Sequence, residues 1–172
     1  NSMQTGIRCM LMRGGTSKGA YFLADDLPRD PAARNAVLLA VMGSPDPRQV
    51  DGIGGAHPLT SKVAVISRAA TPGADIDFLF AQVGIDKPMV DTTPNCGNIL
   101  AGVGPFAIER GLIKAGETTT RIKVRTINTG TIAELLIETP GGRVNYDGGA
   151  RIDGVPGGAA PIAIDFLDAA GA

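Results

Sequence analysis

The sequence predicts an α+β domain, a mostly antiparallel or mixed sheet accompanied by about two helices. Short β-branched runs recur along the 172-residue chain, separated by clusters of glycine and proline. One stretch carries a helix start signal, an apolar pattern and a stop signal in the right order. A second stretch, behind Cys96, has helical spacing and is apolar enough to be buried.

Taken in order, "GIRCMLMR" (Gly6 to Arg13) reads as a strand and "GAYFLA" (Gly19 to Ala24) as its partner. The link "GGTSKG" is turn chemistry, so the pair predicts a β-hairpin. Asp30 is an N-cap and Pro31 a first helical residue, and Gly43 is a stop, which predicts a helix over 31–42. The stretch Ser44 to Ser61 has no apolar period and is dense in glycine and proline, so it reads as a long functional or disordered loop. "KVAVIS" from Lys62 and "ADIDFLFAQVGI" are strands joined by the turn "ATPG", and "DKPMVDTTPNCG" is loop. In "NILAGVGPFAIERGLI", Ile99, Val103, Phe106 and Ala107 share one helical face. Gly97, Ala101, Gly102 and Gly104 suit a helix packed tightly inside a sheet, and Gly111 ends it. "TRIKVRTIN" and "TIAELLIET" are strands around the turn "TG", while "GGRVNYDG" and "APIAIDFL" are weaker strands.

The bulk composition excludes several classes. The net charge is −1, which argues against a basic nucleic-acid footprint. No apolar run approaches the roughly 20 residues of a membrane span. No charged-then-apolar leader opens the chain, so a cytoplasmic location is expected, and "NS" before Met3 reads as a cloning remnant. One histidine and two distant cysteines are a poor zinc set, so no metal site is expected.

Two segments carry candidate chemistry. In "RGGTSKG", glycines let successive backbone N–H groups converge as an anion nest. Arg13, Gly15, Thr16, Ser17 and Lys18 would supply amides, hydroxyls and positive charge for a carboxylate or phosphate. The spacing does not fit a P-loop, and a plain surface hairpin is the competing reading. In "NCGN" (Asn95 to Asn98), a thiol stands where a helix presents free N–H groups and its positive end. Such a place favours the reactive anionic form of a cysteine, and the amides of Gly97 and Asn98 would hold a carboxylate beside it. Cys9, inside an apolar strand, reads as an inert packed thiol. Lys62, behind Ser61 at a strand mouth, is either a solvated charge or a proton-transfer group. His57 is either a dyad partner for Cys96 or a loop histidine. "GVGPFA" matches a dinucleotide pattern but lies within a helix pattern, so it is set aside. Asp75, Asp77, Glu134 and Glu138 read as solvent-face charges.

Three motifs occur in order: "MRGGTSKGAYF", "LLAVMGSPDPRQVDGIGGAHPLTSKVAVIS" and "NCGNILAGVGPFAIERGLI", followed by "RIDGVPGGAAPI". Together they resemble the PrpF family. The resemblance implies the diaminopimelate-epimerase-like fold, two α+β domains facing across a cleft, each a sheet wrapped around a central helix. It implies isomerases that move a proton in small unsaturated polycarboxylates without cofactor or metal. 4-Oxalomesaconate tautomerisation is the most similar activity; 2-methylaconitate and methylitaconate isomerisation are alternatives. It assigns functional roles to Ser17, Lys62 and Cys96. Ser61 and Asn95, next to Lys62 and Cys96 in the sequence, are expected substrate-binding residues. His57 stands where the oxalomesaconate subgroup leads one to expect an acidic residue. Family chains are about twice this length, so residues 1–172 correspond to the N-terminal domain, and the second domain is a further expected partner. A homo-oligomer is compatible with this reading, as is a polycarboxylate-binding module without turnover.

Overall fold

The structure, a computed structural model, describes residues 6–14, 17–94, 96–146 and 162–167. Its strands are β1 (Met10–Gly14), β2 (Ser17–Leu23), β3 (Lys62–Arg68), β4 (Ile76–Val83), β5 (Val90–Asp91), β6 (Thr119–Thr126), β7 (Ile132–Glu138) and β8 (Ile162–Phe166). They form one sheet in the order β1-β2-β3-β4-β6-β7-β8, with β5 also paired to β4. The pairs β2–β3 and β4–β6 are parallel and the others antiparallel, so the sheet is mixed.

The predicted hairpin forms: β1 and β2 pair antiparallel with Gly14 opposite Ser17. The first helix, α1, spans Pro31–Met42. The Asp30 carboxylate accepts the Ala33 N–H at 2.9 Å, and Gly43 closes the helix at φ 82, in the left-handed region glycine tolerates. The second helix, α2, spans Gly97–Glu109 with Cys96 as its N-cap. It packs against β1, β2, β3, β4 and β7, strands drawn from both sides of the sheet order, so the sheet curls around it. The larger core lies between this helix and the sheet and holds Tyr21, Ala64, Phe78, Phe80, Val103, Phe106 and Leu135. A smaller core on the opposite sheet face holds Phe22, Leu38, Met42, Val63 and Val83 beneath α1.

The small residues of α2 have separate reasons. A Cβ on Gly102 would lie 2.4 Å from the Tyr21 hydroxyl oxygen, and one on Gly104 would lie 2.2 Å from Ile137 Cδ1. The dinucleotide-like "GVGPFA" lies wholly within this helix. No helix among the described residues is long and apolar enough to cross a membrane.

Four local expectations change. β1 starts at Met10, and residues 6–9 are irregular. The stretch read as loop before Cys96 contains β5, a two-residue strand too short to show a period. "GGRVNYDG" is no strand over its described residues. Gly141 and Gly142 adopt φ 68 and 80 in a 3-10 turn, a backbone that breaks a ladder. Asp75 and Asp77 are not simply solvated. The Asp75 carboxylate accepts the Lys123 N–H at 2.9 Å and Asp77 accepts the Ala70 N–H at 3.0 Å, holding neighbouring backbone in place.

The long segment 44–61 is neither disordered nor empty of contacts. Gln49, 1% exposed, is its hub. Its Nε2 donates to Ser61 Oγ at 2.9 Å and Ser44 Oγ at 3.1 Å, and its Oε1 accepts the Ala56 N–H at 2.8 Å. Residues 58–60 form a 3-10 turn that delivers the chain to β3.

Candidate active site

Strand alternation decides which side chains can meet. Ala64 and Ile66 of β3 face α2, whereas Val63 and Val65 face α1, so Lys62 belongs to the α2 side. Its Cα partners are Gly19 on β2 and Gln82 on β4. Gly19 has no side chain because a Cβ there would lie 2.7 Å from Ile99 Cδ1, in the first turn of α2. That close approach draws the helix N-terminus down over the mouth of β3.

The result is a pair. Lys62 Nζ lies 3.5 Å from Cys96 Sγ, within N–H···S range. The lysine is half-buried and its Nζ lies 5.9 Å from the centre of the Phe80 ring, an aromatic face that favours a cation. Cys96 is 8% exposed, and its carbonyl accepts the Leu100 N–H, the first helical bond. Gly97 and Asn98, the next two residues, are exposed at the open end of the helix. Their backbone N–H groups belong to the first turn, which has no intrahelical acceptors.

Ser17 completes this side. With Gly19 and Tyr21 it alternates onto the α2 face, two residues, or about 7 Å, beyond the level of Lys62. Its side chain is fully buried, yet Oγ has no hydrogen-bond partner among the described residues. A buried hydroxyl left unmatched costs about 1–3 kcal/mol, which is tolerated where a ligand supplies the partner.

Other candidate residues fall elsewhere. Arg13 pairs with Lys18 across the hairpin, and alternation puts both on the sheet face opposite Ser17. Ser61 is buried and spends its hydroxyl on Val83 O at 2.9 Å and on Gln49, on the α1 side. It anchors the strand mouth rather than opening toward the sulfur. Gly15, Thr16 and Asn95 lie outside the described residues. His57 is exposed, and its Nδ1 accepts the Leu59 N–H at 3.1 Å, capping the 3-10 turn. Burial pushes the Cys9 thiol up, against the opposing Arg110 charge, consistent with an unreactive thiol. Among the described residues no three His, Cys, Asp or Glu side chains converge as a metal site.

Sequence reasoning missed Tyr21. Its hydroxyl donates to Ile99 O at 2.5 Å, tying β2 to the first turn of α2 beside Cys96. Burial, with the neighbouring Cys96, holds the phenol above its ordinary range, so it remains a donor. The only sequence signal was its place two residues after Gly19 on the same strand face.

Gly97 gives a prediction. Among the described residues beyond its own helical turn, nothing lies within 4 Å of a Cβ built there, so packing does not demand glycine. Gly97→Ala should leave the free energy of unfolding within about 0.5 kcal/mol of the parent, since surface changes of this kind cost little. It should raise the KM of the intact protein for a carboxylate substrate several-fold, by crowding the amide end. An unchanged KM would remove Gly97 from the substrate path.

A mixed sheet curls around a buried helix in an α+β domain, with a thiol and an amine meeting at the helix mouth. The fold is that of a hydroxyproline epimerase from Agrobacterium vitis, whose crystal structure superposes with a TM-score of 0.50 at 17% identity, covering 80% of this chain and 39% of the other. The profile of the family described as PrpF protein matches residues 4–172, and the chain belongs to that family. It is 63% identical over 163 residues to a (4E)-oxalomesaconate Delta-isomerase of Novosphingobium sp. (strain KA1), covering 95% of this chain and 46% of that protein. It is 60% identical over 169 residues to a 4-oxalomesaconate tautomerase of Pseudomonas putida, covering 98% of this chain and 47% of that one. The crystal structure of a methylitaconate-delta-isomerase superposes with a TM-score of 0.89 at 48% identity, covering 92% of this chain and 41% of the other. The chain thus spans about half the length of the curated relatives it matches.

Proposed function

We propose that the intact protein is an isomerase that moves a proton within a small unsaturated di- or tricarboxylate, with keto–enol tautomerisation of 4-oxalomesaconate as its reaction. The observation that carries this is the 3.5 Å approach of Lys62 Nζ to Cys96 Sγ at an open helix N-terminus. Two groups able to hold or give a proton stand side by side, next to amides suited to a carboxylate. One takes the proton from the substrate carbon; the second returns a proton to the conjugated oxygen or to another carbon. Electrons only redistribute along the conjugated system, so no oxidant is consumed.

Negative charge develops on the substrate oxygens in the transition state. Fixed donors aimed at it are usually the largest catalytic contribution. The Ser17 hydroxyl and the Gly97 and Asn98 amides serve as these donors. By their motifs, Gly15, Thr16 and Asn95 are further proposed substrate contacts. Arg13 and Lys18 act on the approach of an anion rather than at the sulfur. The second half of the relatives' length supplies the opposite wall. The reaction belongs to the cytoplasm, where reduced thiols persist.

The methylitaconate-delta-isomerase superposition favours a second reading, an allylic proton shift in methylitaconate or 2-methylaconitate. The same thiol–amine pair serves it. The intact protein should be offered oxalomesaconate, 2-methylaconitate and methylitaconate in deuterium oxide. Turnover of one acid, with solvent deuterium at the reacting position, is expected. Binding of these acids without exchange would make the protein a polycarboxylate-binding module and end the isomerase reading.

A further inference from the structure

The sheet has a gap beside the site. On the edge of β4 away from β3, β6 pairs with Ile76 to Phe78 and β5 pairs with Gln82 and Val83. Phe80 lies between them, and on this edge no strand of the described residues stands opposite it. Its backbone N–H and C=O would be stranded in the core wall, where unmatched backbone groups are rare.

Asn128, just past the end of β6, fills the gap with its side chain. Its Oδ1 accepts the Phe80 N–H at 2.8 Å and its Nδ2 donates to Phe80 O at 2.8 Å. The amide thereby stands in for a missing strand residue. The second Nδ2 hydrogen goes to Thr92 O, in the segment running from β5 to Cys96. Both donors of the amide are then engaged, so none is left to bind a substrate. Only this orientation of the amide satisfies all three backbone groups.

These contacts reach both members of the reactive pair. Phe80 is 2% exposed and carries the ring beneath the Lys62 ammonium. Thr92 lies four residues before Cys96 on the same connection. We infer that Asn128 is a positioning residue, one side chain that fixes the aromatic floor under Lys62 and the strand exit leading to Cys96, and so sets their separation. This rests on the Lys62–Cys96 pair being the working site, as proposed above. Asparagine is needed for its mixed ends, since aspartate would aim an acceptor at two carbonyls.

The test is a double-mutant cycle read by site-resolved iodoacetamide labelling of Cys96 in the intact protein. It needs no turnover, so a failed substrate panel leaves its outcome readable. Lys62 Nζ stands 3.5 Å from the sulfur that the reagent must reach. Lys62→Met should therefore slow labelling about tenfold in the parent, and less than about twofold in an Asn128→Ala background. Asn128→Asp, similar in size, should uncouple the pair in the same way if the alanine variant folds poorly. A Lys62 effect of equal size in folded parent and Asn128 variants overturns the positioning role. No Lys62 effect in the parent overturns the pair itself, and the role of Asn128 with it.

Discussion

Cys96→Ser or Lys62→Met in the intact protein should each lower isomerisation by about a thousandfold, while both variants remain folded. Positioned proton transfer contributes roughly 10²–10⁴ to rate. Serine keeps the size of the thiol but does not ionise near neutral pH. Methionine keeps the aliphatic stem over Phe80, whose ring centre lies 5.9 Å from Nζ, and removes only the amine. Neither change opens a cavity, so near-parental thermal midpoints should accompany the loss. The measurement is kcat on the best substrate of the panel, with melting followed alongside. Turnover within a few-fold of the parent in either variant would take that residue out of the proton path. Equal losses in the singles and the double variant are expected, because groups that act as a unit are strongly non-additive.

Gly102→Ala should destabilise the protein by about 3 kcal/mol, the upper end of what overpacking costs. The added Cβ would sit 2.4 Å from the Tyr21 hydroxyl oxygen and 2.6 Å from Cζ. The ring cannot retreat. It is fully buried, its hydroxyl is tied to Ile99 O, and it stacks at 5.8 Å against Phe106. Gly104→Ala is the control. Its nearest neighbour is Ile137 Cδ1, the free end of a side chain that can rotate away, so its cost should be smaller. Urea midpoints compared at constant m-value give both numbers. A Gly102→Ala midpoint matching the parent would show that α2 can lift off β2 freely. That would undo the account of how Cys96 is held over Lys62.

Local signals survived folding where the physics was local. Asp30, Pro31 and Gly43 bounded α1 correctly because a cap, a fixed φ and a left-handed stop act within one turn. β3, β4, β6 and β7 were legible from β-branched alternation. β5 was not, because two residues carry no period; it exists through Gln82 and Val83 of β4. The order of the segment 44–61 was hidden as well. Its hub, Gln49, is a polar residue at φ 48, with no sequence mark to distinguish it from its neighbours.

By itself, the sequence determined the α+β class, the buried helix behind Cys96, and the residue types able to move a proton or hold an anion. Those follow from composition, periodicity and motif. Only the tertiary structure decided which of them meet. The parallel register of β2 against β3 sets Gly19 beside Lys62, and the missing Cβ of Gly19 lets Ile99 descend, which carries Cys96 to within 3.5 Å of the amine. The same alternation turns Arg13, Lys18 and Ser61 away, although they lie as close in sequence to Ser17 and Lys62 as the residues that remain. A pleat assigns side chains to faces by parity, and parity relative to a partner strand is fixed by pairing between distant segments.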